Sequence, residues 1–426
     1  MITTVITVIG TGTGSPLPPD AEAELATATL AVGARRHLTA ADLPDTTERI
    51  VLGPLAPALD AIEQHLKKPA DHTAQGRVVV LASGDPGFFG IVRALADRFG
   101  AHTLDVRPAV SSVATAFARL GLTWDDAIVV SAHGRDPRTA VNVCLAHPKV
   151  AVLTGPGAGP AELGAALRSQ SSERVLVVAS ALGSGPDERV ERVTPAEAAA
   201  RDWGPAVSVV LCLDESRALS PVRTIAGAVP GPAQWAVDEG EFTYRDSMIS
   251  KFEVRALALA RLGPRLGDHV WDIGAGSGSV AVECARLGAA VTAVEKSGDG
   301  VERVRANAAA HGVDLTVVQG VAPAVLAELP DPDAVFIGGG GRELPAIVTA
   351  CARRARRAVV VAMAALDRVP AAREALLAAG FGCDGVLLQS SRLAPLPGDV
   401  TRLAATNPVF LLWGVRPPAR TEGVAQ

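Results

Sequence analysis

Two rhythms alternate along the chain. Short runs dense in Val, Ile and Leu are separated by segments whose apolar residues recur every three to four positions, the periods of buried strands and of amphipathic helices. In the first half, TTVITVIG (3–10), RVVVLAS (77–83), AIVVSA (127–132), KVAVLT (149–154), RVLVVAS (174–180) and AVSVVLCL (206–213) predict strands. AEAELATATL (21–30), FGIVRALADRFG (89–100), SVATAFARLG (112–121) and AELGAALRS (161–169) predict helices between them. Such alternation is the mark of an α/β fold. After Leu213 the rhythm lapses through 214–242, a stretch with several Gly and Pro and no helical period, which places a domain boundary there. The expected domains are 1–215 and 230–426.

The rhythm resumes at SKFEVRALALARLG (250–263). Strands are expected at HVWDIG (269–274), AVTAVE (290–295), LTVVQG (315–320), AVFIGG (334–339), AVVVAM (358–363), GVLLQS (385–390) and VFLLWG (409–414), seven in all. The last two are joined by a long connection without a helix signal, which suits an antiparallel edge pair closing an otherwise parallel sheet. The tail RPPARTEGVAQ (416–426) reads as frayed.

A length of 426 residues favours two domains, and with 48% hydrophobic residues each can bury a sizeable core. No uninterrupted apolar run is long enough for a bilayer, and the N-terminus lacks the basic start of a signal peptide, so a cytoplasmic protein without a membrane partner is expected. The five cysteines contain no C-x-x-C pair, which predicts neither a disulfide framework nor a zinc ribbon. A net charge of −5 and only 4% aromatic residues give no general attraction to nucleic acid.

The chemistry concentrates in two glycine loops. In DIGAGSG (272–278), Gly274, Gly276 and Gly278 stand between a strand and a helix, where a ligand can meet helix N-terminal N–H groups. A dinucleotide fingerprint wants a third small residue where this chain has Ser279, so nicotinamide binding stays open but strained. Asp272 ends the strand before the loop, and Glu295 ends the next strand, 21 residues beyond Gly274, where a carboxylate can accept ribose hydroxyls. The other loop, SGDPGFFG (83–90), follows a buried strand but has no Walker lysine; taken alone, Gly-Asp-Pro is a tight turn. Downstream, Ser111 or Ser112 could cap a helix, and a strand ending at Ser131 is followed by His133, Gly134 and Arg135.

The D-x-G-x-G-x-G stretch resembles the first motif of class I S-adenosylmethionine methyltransferases. Residues 1 to about 214 together resemble the tetrapyrrole methylase family, of the CbiE type. The second half resembles the CbiT type through ISKFEVRALALARLG, WDIGAGSGSVAVE, AVEK and DAVFIGGGG. Fused in that order, the two resemble the decarboxylating precorrin methyltransferases of cobalamin (vitamin B12) synthesis.

The resemblance implies an N-terminal tetrapyrrole-methylase domain, a Rossmann-like C-terminal domain with a seven-stranded sheet, and two S-adenosylmethionine sites per chain. It assigns Ser83, Gly84, Asp85, Ser111 and Ser112 to the first cofactor site. To the second it assigns Ser250, the loop Gly274, Ala275, Gly276, Ser277 and Gly278, the ribose acceptor Glu295, and Ala322 beside the adenine. His133, Arg135, Lys251, Arg255, Gly338, Gly339 and Gly340 become substrate contacts. It further implies a precorrin substrate, methylated at C5 by the first domain and at C15, with loss of the ring C acetate carboxyl, by the second; no resident metal; and self-association. Catalytic residues are left unassigned, because an in-line methyl transfer depends chiefly on positioning.

The chain departs from the family pattern in places. Val321 replaces an acid, VAMAALD (361–367) lacks an Asn and a Thr hydroxyl, and GTGTGSPLPP (10–19) lacks an acid. The competing expectations are a methyltransferase of another large acidic or planar substrate and, from a different class, a dinucleotide-binding regulatory or redox protein.

Overall fold

The structure is a computed structural model that describes residues 6–14, 16–68, 77–170, 174–204, 208–218, 226–227, 234–245 and 249–417. Much of the expected linker and most of the expected frayed tail lie outside the described residues. Those described fall into two compact units that interleave in sequence. The first gathers the residues up to Arg135, Ala151–Gly164, and those from Arg174 to Ala226; the second gathers Asp136–Val150, those from Ala165 to Glu173, and those from Gly227 onward.

The first sheet consists of β1 (Ile6–Gly10), β2 (Leu30–Gly33), β3 (Glu48–Val51), β4 (Val78–Ala82) and β5 (Leu104–Arg107). Its order is β3-β2-β4-β1-β5, and every pairing is parallel. Neighbouring residues serve opposite faces: Val8, Val78 and Val80 enter one core cluster, and Ile9, Val79 and Leu81 the other. A second sheet follows, made of β6 (Ile128–Ser131), β7 (Lys149–Leu153), β8 (Val175–Ser180), β9 (Arg189–Val193) and β10 (Ser208–Leu213). Its order is β6-β7-β10-β8-β9, with β8 antiparallel to β10 and β9. The strands β2, β3, β5 and β9 were not expected from the sequence.

The second unit is built on β11 (His269–Ile273), β12 (Ala290–Glu295), β13 (Thr316–Gln319), β14 (Ala334–Ile337), β15 (Ala358–Met363), β16 (Gly382–Leu388), β17 (Ser391–Leu396), β18 (Val400–Ala405) and β19 (Val409–Val415). Seven of these form one sheet, the number expected from the sequence, and their order is β13-β12-β11-β14-β15-β19-β16. The sheet is parallel from β13 to β15, whereas β19 runs antiparallel to both of its neighbours. The closing pair is thus present with its order set inside the sheet: the last strand inserts between β15 and β16. Val270, Phe336 and Val360 pack on one face and Trp271, Val335 and Val359 on the other. Burial on both faces explains why these strands read as continuous apolar runs. Among the described residues no helix is long and apolar enough to cross a membrane.

The connection between β16 and β19 carries a hairpin, β17 with β18, where no element was expected. From it Arg392 reaches Glu239 with two bonds, Nη1 to Oε2 at 2.7 Å and Nη2 to Oε1 at 2.9 Å, and Glu253 Oε2 with a third at 2.9 Å. Glu239 also accepts the Phe252 N–H at 2.8 Å, at the first turn of the helix Phe252–Leu262. A segment read as linker is therefore fastened to the second unit by a bidentate ion pair. The Arg392 guanidinium holds the Glu239 carboxyl down to about 2, against a burial effect that acts upward.

A depressed carboxylate pKa stabilises the fold above its ordinary value of 4.5, and that contribution disappears as pH falls through the folded value near 2. Glu239→Gln is expected to destabilise the protein by about 1–3 kcal/mol at pH 7 in urea unfolding, after discount for the half-open Arg392. The gap from the parent should narrow steadily between pH 4.5 and 2. A gap independent of pH would mean that the ion pair is not its source.

Candidate functional site

In the second unit the polypeptide leaves β11 at Ile273 and turns through Gly274–Gly278 into the helix Ser279–Arg286. Gly274, Gly276 and Gly278 all have positive φ, at 73°, 59° and 73°, a region costly to residues with a side chain. Their surroundings differ. A Cβ on Gly274 would press on the Gly339 backbone N at 3.2 Å, and one on Gly278 on Val304 Cγ1 at 3.0 Å. At Gly276 the nearest described atom would be the Gly274 carbonyl oxygen at 3.9 Å. The outer two glycines let protein pack on protein; the middle one faces open space.

Glu295, at the end of β12, closes the loop from the side. Its Oε2 accepts the Gly276 N–H at 3.0 Å, and its Oε1 accepts both the N–H and the hydroxyl of Ser297, at 2.9 and 3.0 Å. Burial pushes this carboxyl up, but the N–H donors of Ser297 and Gly276 outweigh it and leave the group below its ordinary range. Gly300 makes room for the arrangement, since a Cβ there would stand 2.5 Å from Glu295 Cγ. Asp272 behaves in the opposite way. It is buried, its Oδ2 accepts only the Ala281 N–H at 3.0 Å, and Oδ1 has no partner among the described residues. Burial, with the Glu295 charge adding to it, pushes this carboxyl up to about 7 despite the Ala281 bond.

The other expected residues of this site divide between loop and support. Gly338 donates its N–H to Ile273 O at 3.0 Å, which sets the turn 338–340 against Gly274. Gly320 donates to Glu295 O at 3.0 Å and brings the β13 loop alongside; Ala322 in that loop is half-buried against the core. Ser250 is half-buried, and Lys251 Nζ lies 5.9 Å from the centre of the Tyr244 ring.

Arg255 differs from its expected role as a substrate contact. It is completely buried, paired with Glu283 at 3.4 Å, bonded to Ser250 O at 2.6 Å and to Val237 O, and stacked on Phe242. Its charge is consumed in holding Val237 and Ser250. Asn307, which the sequence did not single out, does related work from the helix Gly298–Ala310. It donates to Ser277 O at 2.7 Å and to Thr243 O at 2.9 Å, and accepts the Thr243 N–H at 2.8 Å. Three bonds from one buried amide tie the loop to the helix and to Thr243.

In the first unit three connections meet at the carboxyl edge of the parallel sheet. Gly12, after β1, exchanges two backbone bonds with Gly84, after β4, at 2.9 and 3.3 Å. A Cβ on Gly84 would approach Ser112 N at 3.6 Å and Ser111 Cα at 3.8 Å, so the helix Ser112–Leu120 begins beside the loop. Ser111 caps that helix, accepting the Ala114 N–H at 3.1 Å, and the Asp85 carboxylate accepts the Gly87 N–H at 2.7 Å. Both are local structural bonds. Ser83 meets Arg36 and His37 instead, each at 2.7 Å, and neither partner was singled out from the sequence. Arg135 sits 5.8 Å from the centre of the Phe89 ring, with His133 exposed nearby in sequence. Among the described residues no cluster of His, Cys, Asp or Glu could hold a metal ion.

Two family models divide the chain between them. Residues 5–199 match the family model described as Tetrapyrrole (Corrin/Porphyrin) Methylases, and residues 241–415 match that described as Precorrin methyltransferase domain. A precorrin-6Y C(5,15)-methyltransferase [decarboxylating] from Sinorhizobium sp is 40% identical over 326 residues, which are 75% of this chain and 74% of that protein. The protein of the same name from Mycobacterium tuberculosis is 34% identical over 330 residues, 77% of this chain and 78% of its own. A probable cobalt-precorrin-6B C(15)-methyltransferase (decarboxylating) from Pyrobaculum calidifontis is 38% identical over 170 residues, covering 38% of this chain and 87% of that one.

The packing around Glu295 gives a direct test. Gly300→Ala forces the Glu295 stem from its place and is expected to destabilise the protein by about 1–3 kcal/mol, the usual range for overpacking. Gly276→Ala, with open space at its Cβ, should cost only the strain of positive φ, about 1–2 kcal/mol. Urea midpoints at pH 7 compare the two; a smaller loss for Gly300→Ala than for Gly276→Ala would contradict the crowding described.

Proposed function

The chain belongs to the precorrin-6Y C(5,15)-methyltransferase [decarboxylating] family, and on that premise we propose that it divides the family's two methyl transfers between two S-adenosylmethionine sites, one in each α/β unit. The protein is a methyltransferase that uses S-adenosylmethionine to methylate a precorrin, with decarboxylation, in cobalamin biosynthesis. The observation that carries the division is the pair of glycine loops at the carboxyl ends of two separate parallel sheets. Within it, residues 1–215 methylate C5, and residues 230–426 methylate C15 and release carbon dioxide from the ring C acetate arm.

The second unit's residues fit the cofactor. Gly276 leaves open space beside exposed backbone, and the unpartnered Oδ1 of buried Asp272 is an acceptor in want of a donor. A carboxylate offers about four acceptor positions, and Glu295 has filled three of them within the protein. A ribose hydroxyl bound by Glu295 would share the carboxylate with these donors and with the Lys296 N–H. S-adenosylmethionine supplies a methyl group on a positively charged sulfur. The chain supplies orientation: Gly274–Gly278 hold one end, Glu295 the ribose, and the loop containing Ala322 the adenine side, while the 338–340 turn and Lys251 face the precorrin. For the first unit the corresponding residues are Ser83–Asp85 and the start of the helix at Ser111 and Ser112, with His133 and Arg135 toward the substrate.

We also propose a cytoplasmic homo-oligomer without nucleic-acid partners. On the hairpin, Leu393 pairs with Leu403 and Leu396 with Val400, and all four are exposed, Leu393 by 79%. Apolar pairs in such a place suit burial against a second copy. Leu393→Glu should lower the mass measured by light scattering to that of a smaller assembly, and an unchanged mass would remove the hairpin from the interface.

Calorimetric titration with S-adenosylhomocysteine should give about two sites per chain. Gly276→Val should leave one and stop C15 methylation and carbon dioxide release, while the C15-methylated, decarboxylated substrate is still methylated at C5. Glu295→Gln should weaken the second-unit site by roughly 1.5–3 kcal/mol, the worth of a charged hydrogen bond. One site in the parent protein, or two in Gly276→Val, would reject the assignment.

A further inference from the structure

Just beyond the end of β4, Ser83, a residue of the proposed first site, also belongs to a chain of hydrogen bonds whose other members that site does not use. Its Oγ lies 2.7 Å from His37 Nε2 and 2.7 Å from Arg36 Nη2. Behind the imidazole, His37 Nδ1 is 3.3 Å from Thr11 Oγ1, and the Thr11 hydroxyl is 3.1 Å from the Ala82 carbonyl oxygen. The direction of each bond follows from what each group can offer. A carbonyl only accepts, so the Thr11 proton goes to Ala82. Thr11 Oγ1 is then the acceptor for His37, which puts the imidazole hydrogen on Nδ1 and leaves Nε2 with its lone pair. Arg36 only donates, so Ser83 receives from Arg36 and gives its own proton to Nε2. Ser83 thus directs its hydrogen at a basic nitrogen, rests its oxygen on a fixed positive charge, and has its base oriented by a third group.

We propose that Ser83 and His37 form the proton-accepting relay of C5 methylation, given the proposal above that the first unit is the C5 site. Exchange of hydrogen for methyl at a methine carbon must release one proton. The new carbon–carbon bond takes its electron pair from the tetrapyrrole, and sulfur keeps the pair of the bond it loses. The methine C–H bond then breaks, its pair returning to the conjugated ring system. The proton passes to Ser83 Oγ as the serine's own passes to His37 Nε2, and the imidazolium afterwards releases it to water. His37 is half-buried, and burial followed by the Arg36 charge lowers its pKa, so it is neutral and able to accept at pH 7. Arg36 on its own helix is the charged group acting on it; β1 and β4 present the hydroxyls of Thr11 and Ser83, while the Asp85 carboxylate is turned onto Gly87 N–H.

The test uses the full-length chain with His37→Gln, Ser83→Ala and Thr11→Val. Nitrogen NMR without substrate should show His37 as the Nδ1–H tautomer, titrating below 6.5, and Thr11→Val should shift it toward Nε2–H. With the C15-methylated, decarboxylated tetrapyrrole as substrate, the C5 methylation rate, read by product mass, should fall on the acid side as His37 protonates. His37→Gln should lower kcat by about a hundredfold and abolish that acid limb, and Ser83→Ala should lower kcat similarly. The S-adenosylhomocysteine dissociation constant of His37→Gln should stay within about twofold of the parent, since relay loss is a kcat effect. An acid limb that survives in His37→Gln, a loss that lies wholly in cofactor affinity, or an Nε2–H tautomer in the parent would overturn the relay. A single cofactor site in the parent would show instead that the two-site proposal has failed, and the relay with it.

Discussion

A parallel sheet covered on both faces leaves its strand ends as the place where backbone polar groups can meet a ligand, and that constraint organises both units. β11, β12 and β14 bury every residue and stop together at one edge, where the chain must turn back across the sheet. The returning loops crowd each other at that edge. Gly274 against Gly339 and Gly278 against Val304 are responses to crowding, so part of the glycine motif is explained by protein packing alone. What packing alone leaves unexplained is narrow: Gly276, with open space at its Cβ position, and the unpartnered oxygen of buried Asp272.

These two carboxylates show how position sets charge. Glu295 lies at the strand end among N–H donors and stays ionised; Asp272, one strand away and fully enclosed, holds its proton up to about 7. A cationic ligand at this loop would favour the ionised form of Asp272. The uncompensated acceptor is then a reservoir of binding energy that the folded chain alone cannot use.

The sheet of the second unit and both glycine loops were legible in the sequence, because buried strands are long apolar runs and because loops between strand and helix carry glycine for a physical reason. The strands β3 and β9 were not. Glu48–Val51 lies at the sheet edge and is largely exposed, and Arg189–Val193 has three charged residues among five, so neither has the apolar density that marks a strand. The β17–β18 hairpin escaped for a similar reason: its leucines face outward. Arg255 was misjudged because a charge on a helix gives no sign of burial until its partner Glu283 is known to lie 28 residues away. His37, Arg36 and Thr11 form a cluster with Ser83 only because β1, β4 and the helix Arg35–Ala40 are neighbours in space, a relation that local pattern cannot show.

The place of β19 has a consequence for how the protein is made. β15 has one edge filled by β14 and the other filled by residues 409–415, which a ribosome delivers last among the strands of the second unit. Until they emerge, β16 has no partner in the sheet, and the edge of β15, with its run of valines, stands open during synthesis. An open apolar edge invites pairing with other nascent chains. Translation speed and chaperone supply over the stretch of message that encodes residues 382–415 should therefore govern the yield of folded protein more than they do for the first unit, whose parallel sheet is complete by Arg107.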